Sequence, residues 1–162
     1  MLVVVCGLQG VGKTVVAKYI ADKTGSCLLR TDVIRKELIR ILRYTEEEMQ
    51  RIYAEMFLRA EKQLSLTGVV LDATFYRQDN RMQARKIADK TGNEFILVEV
   101  VCYNNEVVRQ RMRDRTGDAS EAQFEQYLKM KTLFQPISEQ HIIIDNSGSE
   151  EETRRQVDMY FS

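Results

Sequence analysis

The spacing of three glycines near the start of the chain limits the folds open to it. Residues 7–14 read GLQGVGKT and lie between an apolar, β-branched run, LVVVC at 2–6, and a helical pattern that begins at Lys13. Gly7, Gly10 and Gly12 allow backbone conformations that other residues resist, and no Cβ blocks approach to the main chain. A strand feeding through such a turn into a helix makes backbone N–H groups converge at a helix N-terminus, where they and the helix dipole attract an anion. The order strand, glycine turn, helix predicts an α/β chain built around a phosphate cradle.

The rest of the sequence continues that alternation. Apolar or β-branched runs recur as CLLR (27–30), VVLDA (69–73), FILVEVVC (95–102) and HIII (141–144). Continuous apolar strands suit a parallel sheet covered on both faces. Helices are predicted over 13–23, 33–43, 46–65, 79–91, 105–114, 121–134 and 150–161. Capping boxes are expected at Thr45/Glu48, Ser120/Gln123 and Ser149/Glu152, and Gly25 and Gly92 are placed to end helices. With 162 residues, one proline and no Gly/Ser-rich linker, the chain is expected to form a single domain over 1–162. Lys plus Arg and Asp plus Glu are 24 each, so a general polyanion-binding role is not expected, although a local basic patch is compatible with that balance. No apolar run reaches the ~18 residues of a membrane span, and MLVVVCGLQG lacks a basic signal-peptide region. Cys6, Cys27 and Cys102 sit in apolar settings. Reduced thiols and a cytoplasmic location are expected.

GLQGVGKT fits G-x-x-x-x-G-K-[ST], the P-loop. Gly7, Gly10, Val11, Gly12, Lys13, Thr14 and Val15 are the expected nucleotide-binding residues. Lys13 is placed to reach the β/γ-phosphates, and the Thr14 hydroxyl to ligate Mg²⁺. Asp72 ends the apolar strand in VVLDAT, where a Walker B carboxylate would hold the same ion; an ordinary strand-end turn former is the competing reading. In LLRTDVIRKEL, Asp32 follows the second strand and Arg35 lies three residues later. In a P-loop kinase that strand end faces the γ-phosphate, so Asp32 could take the proton of an attacking hydroxyl while Arg35 positions it. A helix cap, or an i,i+3 surface pair, accounts for the same residues. Arg109, Arg111, Arg113 and Arg115 crowd like charges into one short segment, where Arg would serve the negative charge of a transferring phosphoryl group. TGDAS follows, and Gly117 is a candidate hinge.

Asp-x-x-Arg after strand 2, the DAT strand end and the late arginine-rich segment together resemble the 5′-hydroxyl polynucleotide kinases and their small P-loop relatives. That wider group includes adenylylsulfate, gluconate and chloramphenicol kinases and zeta-toxin-like ATP-binding domains. The resemblance implies a nucleoside-monophosphate-kinase-like three-layer sandwich with a five-stranded parallel sheet in order 2-3-1-4-5. It implies ATP and Mg²⁺ as cofactors, Asp32 as general base, and Arg111 and Arg115 as the cations of a small lid near 109–120. The first acceptor it suggests is a polynucleotide 5′-hydroxyl. A small-molecule acceptor (a nucleotide, an adenylylsulfate or a sugar-like compound) is the alternative, and an acceptor-free regulatory ATPase is a third reading. Phe75 stands where the polynucleotide enzymes often carry Asn, and a flanking phosphatase or ligase domain is not expected.

Other residues are less directive. His141 is expected to be structural. Tyr53, Met56, Phe57 and Leu64, at near-helical spacing, are expected to pack on the sheet. Phe75, Tyr76 and Arg77 follow the Asp72 strand and are read equally as a wall of the acceptor cleft or as a core plug.

Overall fold

The computed structural model describes residues 1–162, the side chain of Asp118 apart. Its sheet has five parallel strands in the order β2-β3-β1-β4-β5, with β1 Leu2–Cys6, β2 Cys27–Arg30, β3 Val69–Asp72, β4 Phe95–Val101 and β5 Ile142–Asp145. The expected topology is therefore observed. Alternate residues of β1 supply both layers, since side chains on a strand point to opposite faces. Val3 and Val5 pack with Val16, Ala17 and Ile20 of α1 (Lys13–Thr24), Val108 and Met112 of α5 (Asn105–Thr116) and Val157 of α7 (Glu150–Asp158). Leu2, Val4 and Cys6 pack on the other face with Ile52 and Met56 of α3 (Glu46–Gln63) and Ala84 of α4 (Gln78–Lys90). Each fully buried Val, Leu, Ile or Met contributes about 1.5–3 kcal/mol of transfer free energy. Burial of Cys6 pushes its thiol up to about 12, which leaves it inert as a nucleophile.

Register decides what meets at the site. Val5 and Arg30 both pair with Asp72, Cys6 pairs with Glu99, and Val101 pairs with Asp145. All strands run parallel, so their carboxyl ends gather at one edge of the sheet. The loops leaving that edge converge there, the usual place for a ligand in an open α/β sheet.

Several boundaries differ from expectation. The second helix was expected at 33–43; α2 is Thr31–Leu38, and Ile39 turns extended with φ −126°. Leu38 and Ile39 pack against the α3 face of the core, which ends the helix early. The capping box at Ser120/Gln123 is not formed. A 3₁₀ turn at Gly117–Ala119 leads straight from α5 into α6 (Ser120–Leu133), so no extended N-cap residue is available and Ser120 is buried as the first helical residue. The boxes at Thr45/Glu48 and Ser149/Glu152 do form. The strand beginning at His141 is shifted by one residue, because His141 uses both ring nitrogens outside it: Nδ1 meets the Glu139 carbonyl at 2.8 Å and Nε2 the Glu99 carboxylate at 3.2 Å. No helix among the described residues is long and apolar enough to cross a membrane.

Candidate active site

Gly7–Thr14 wraps the edge between β1 and α1. Gly7 N–H donates to the Thr74 carbonyl at 3.2 Å, fixing the loop to the end of β3. Gly10 has φ +89°, and a Cβ there would come within 3.0 Å of Met112 Cε and 3.1 Å of Val108 Cγ1. Gly12 has φ +82°, and a Cβ there would collide with the Asn146 side-chain amide. Glycine at these positions is thus required by conformation and also by the close packing of α5 and the loop after β5. Val11 is buried in the core, and its carbonyl accepts from Asn146 Nδ2 at 2.9 Å. Val15 is exposed in the first turn of α1.

Lys13, Thr14, Arg30 and Asp72 come together beneath this loop. Thr14 Oγ1 donates to Asp72 Oδ2 at 2.7 Å, and Arg30 Nε donates to the same oxygen at 3.1 Å. Asp72 is 4% exposed, yet its Oδ1 is buried with no hydrogen-bond partner among the described residues. Leaving such an atom unsatisfied costs about 1–3 kcal/mol, which a bound cation would recover. A carboxylate oxygen and a hydroxyl whose proton is already given away are hard oxygen donors, the ligand chemistry of Mg²⁺, which completes its shell with water and substrate phosphates. The donor set therefore fits Mg²⁺ at Thr14 and Asp72. Burial pushes the Lys13 ammonium below the ordinary lysine pKa; the Asp72 and Asp32 carboxylates oppose this, and Arg115 and Arg30 add to it.

Asp32 lies in the first turn of α2. The N-cap is Arg30, and no side chain caps this helix, so Asp32 is not a capping residue. Its carboxylate is 68% exposed and stands 3.8 Å from Arg35 Nη2. Arg35 Nε, in contrast, is buried without a partner. The pair is thus a loose surface contact on one side and an unsatisfied donor on the other.

The four arginines of α5 separate by face. Arg111 donates through Nη2 to the Asn146 carbonyl at 2.5 Å and through Nη1 to the Gly10 carbonyl at 3.4 Å. Arg115 lines the same cleft, a space of about 600 Å³ that also touches Gly12, Val15, Tyr19 and Asn146. Arg109 stacks over the Phe124 ring at 4.3 Å, and Arg113 is exposed and donates to Gln110 at 3.3 Å. Phe75 is fully buried, edge-on to Tyr53 with ring centroids 5.2 Å apart, so the core-plug reading holds for Phe75. Tyr76 and Arg77 remain half-buried at the surface.

Three residues of this site escaped the sequence reading. Arg30 reaches Asp72 only because β2 and β3 are neighbours in register. Asn146 holds Val11, accepts from Thr153 Oγ1 at 2.7 Å, and lies 135 positions from the loop it supports. Arg81 is 1% exposed and donates to the carbonyls of Phe75, Gln135 and Pro136 at 2.7, 3.0 and 3.1 Å. The only sequence feature marking Arg30 is its place as the charged last residue of the CLLR run.

A family model described as an AAA domain matches residues 2–137. No curated protein matches the chain. Among solved structures, the chain is similar to the Mycobacterium tuberculosis APS kinase in complex with AMPPNP and APS, at 20% identity and TM-score 0.74, covering 98% of this chain and 95% of that one. It is similar to a sugar kinase from Janibacter sp. HTCC2649, at 19% identity and TM-score 0.74, over 98% and 92% of the two chains. It is also similar to a gluconokinase from Sinorhizobium meliloti 1021, at 22% identity and TM-score 0.70, over 95% and 87%. At these identities the likeness is one of fold.

Proposed function

The chain belongs to the AAA domain family, and from that premise we propose that it is an ATP- and Mg²⁺-dependent phosphotransferase whose acceptor is a hydroxyl of a small molecule. The observation that carries this reading is the buried Thr14–Asp72–Arg30 cluster with its unpartnered carboxylate oxygen, set directly under a glycine loop and Lys13. Glycine-loop amides and the α1 N-terminus would hold the phosphates, and Lys13 would neutralise charge on the β/γ-oxygens. Mg²⁺ held by Thr14 and Asp72 would supply further neutralisation of phosphate charge. Asp32 would accept the proton of the acceptor hydroxyl as its oxygen bonds to the γ-phosphorus and the bond to the β-bridging oxygen breaks, leaving ADP. Arg35 would orient the acceptor.

The resemblance to the polynucleotide kinases suggests a polynucleotide 5′-hydroxyl first. The sugar kinase, gluconokinase and APS kinase of similar fold support the small-molecule alternative instead. An acceptor screen with labelled ATP, spanning sugars, sugar acids, nucleosides and 5′-hydroxyl oligonucleotides, tests the proposal. Transfer to a small hydroxyl compound is the expected result. ATP hydrolysis at a rate indifferent to every acceptor would replace the kinase with a regulatory ATPase.

The α5 arginines would act as the cationic part of a lid over 109–120. Only the face carrying Arg111 and Arg115 looks toward the P-loop, so Arg111→Ala and Arg115→Ala are expected to lower kcat about tenfold to a hundredfold at saturating ATP. Arg109→Ala and Arg113→Ala should stay within about twofold. Steady-state kinetics on the four variants checks the ranking, and dominance of Arg109 and Arg113 would reverse the assigned face.

A further inference from the structure

Beyond the nucleotide cleft, a groove of about 550 Å³ opens at the carboxyl edge of the sheet, between the N-terminal half of α3 and the segment joining β3 to α4. Tyr44, Gln50 and Tyr53 line it from α3 and the segment before it, and Tyr76, Asn80 and Gln83 from α4 and the segment before it. Its volume lies within the range of small-ligand sites.

Backbone strain points to the same place. Among the described residues only two that are not glycine have positive φ: Tyr44 at +57° and Phe75 at +47°. Tyr44 lines the groove, and Phe75 packs edge-on against Tyr53 beneath it. Each such conformation costs about 1–3 kcal/mol and persists only where its surroundings enforce it. Here they do. Tyr53 Oη accepts from Phe75 N–H at 3.0 Å, and the buried Arg81 holds the Phe75 carbonyl at 2.7 Å. Gln135 N–H donates to the Tyr76 carbonyl at 2.8 Å, and Gln135 Oε1 accepts from Gln78 N–H at 2.6 Å. The wall carrying Tyr76 and Arg77 is therefore fixed in advance of any ligand.

The groove is also close to the phosphate cradle. Thr74 accepts from Gly7 N–H, and Tyr76 is two residues further along, at most roughly 7–8 Å between Cα atoms. Its chemistry is aromatic and neutral-polar. Arg77 pairs with Glu46, and Asp79 adds a further negative charge at the rim. Strand phosphates would require free cations, and the arginine of this groove is already neutralised. Tyrosine rings cover the C–H faces of a sugar, and Asn and Gln amides both donate to and accept from its hydroxyls.

The geometry points to this groove as the acceptor site, taking a neutral polyhydroxylated compound, a sugar or sugar alcohol, with one hydroxyl turned toward the glycine loop. This inference rests on the phosphotransferase reading above, but binding can be read without catalysis. Saturation-transfer NMR with D-glucose, D-sorbitol, maltose and a short 5′-hydroxyl oligodeoxynucleotide, each added separately, should show transfer to at least one sugar probe. The signal should persist in Lys13→Ala. Tyr44→Ala and Asn80→Ala, both at accessible positions, should weaken that binding about tenfold, the loss of one stacking or hydrogen-bonding contact. Absence of transfer to every sugar probe, transfer to the oligonucleotide alone, or a sugar signal untouched by both substitutions overturns the assignment. Sugar binding in the wild type without phosphorylation of any bound probe would leave a sugar-binding groove and overturn its assignment as the acceptor site, while the kinase reading stands or falls with the wider acceptor screen.

Discussion

Lys13→Ala is expected to lower phosphoryl transfer by roughly a thousandfold or more, on the order of 4 kcal/mol of transition-state stabilisation. Lys13 opens α1, and its ammonium lies within the influence of Asp72 and Asp32, the place proposed above for the nucleotide phosphates. Lys13 belongs to neither apolar cluster of the core, so thermal unfolding should move little. The same residue should give the activity an alkaline limit. Burial depresses its pKa, so the charge that pairs with phosphate is lost at a lower pH than in a free lysine. ATP affinity should therefore fall as pH rises through that depressed value. In Lys13→Arg the guanidinium stays charged, and the alkaline fall should disappear even if the absolute affinity is lower. Turnover near wild type in Lys13→Ala would remove the phosphate-cradle reading altogether.

The P-loop half of the site was legible because its requirements are local. The glycines at 10 and 12 answer to φ and to crowding within a short turn, and the spacing to Lys13 and Thr14 is set by one turn of helix. Strand order was legible through the resemblance that the motifs carried, and the apolar runs placed each strand to within a residue or two. What stayed hidden is what the third dimension brings together. Arg30 becomes the partner of Asp72 only through the β2–β3 register, and neither residue predicts the other along the chain. Asn146 supports Val11 from the far edge of the sheet. Ser120 looked like a cap by its spacing from Gln123, but the incoming 3₁₀ turn had already made the backbone helical. Phe75 and Tyr76 are adjacent, so sequence treated them alike. A left-handed backbone at Phe75 sends one into the core and leaves the other on the groove.

Asp32→Asn is expected to lower transfer by about two orders of magnitude or more while leaving nucleotide affinity within about twofold. Asp32 sits in the first turn of α2, beyond an N-cap that makes no side-chain bond, so the substitution removes no cap. Its loose contact with Arg35, at 3.8 Å and mostly exposed, adds little to stability. Loss of a negative charge from a helix N-terminus costs about 0.3–1 kcal/mol, too little to unfold a domain of ordinary stability. Asn keeps the shape and the hydrogen-bonding reach of Asp but cannot hold the proton of an attacking hydroxyl. A stability effect and a catalytic effect are thus separable at this position. Calorimetry of ATP binding, thermal unfolding and single-turnover transfer on the same variant measure the three quantities. If transfer survives while the unfolding temperature drops, Asp32 serves the helix, and proton removal must be reassigned to another group at the strand edge. If transfer falls with binding and stability intact, the exposed carboxylate on α2 is the acceptor-side half of the site. The unpartnered Arg35 Nε beside it then becomes the donor that waits for the acceptor.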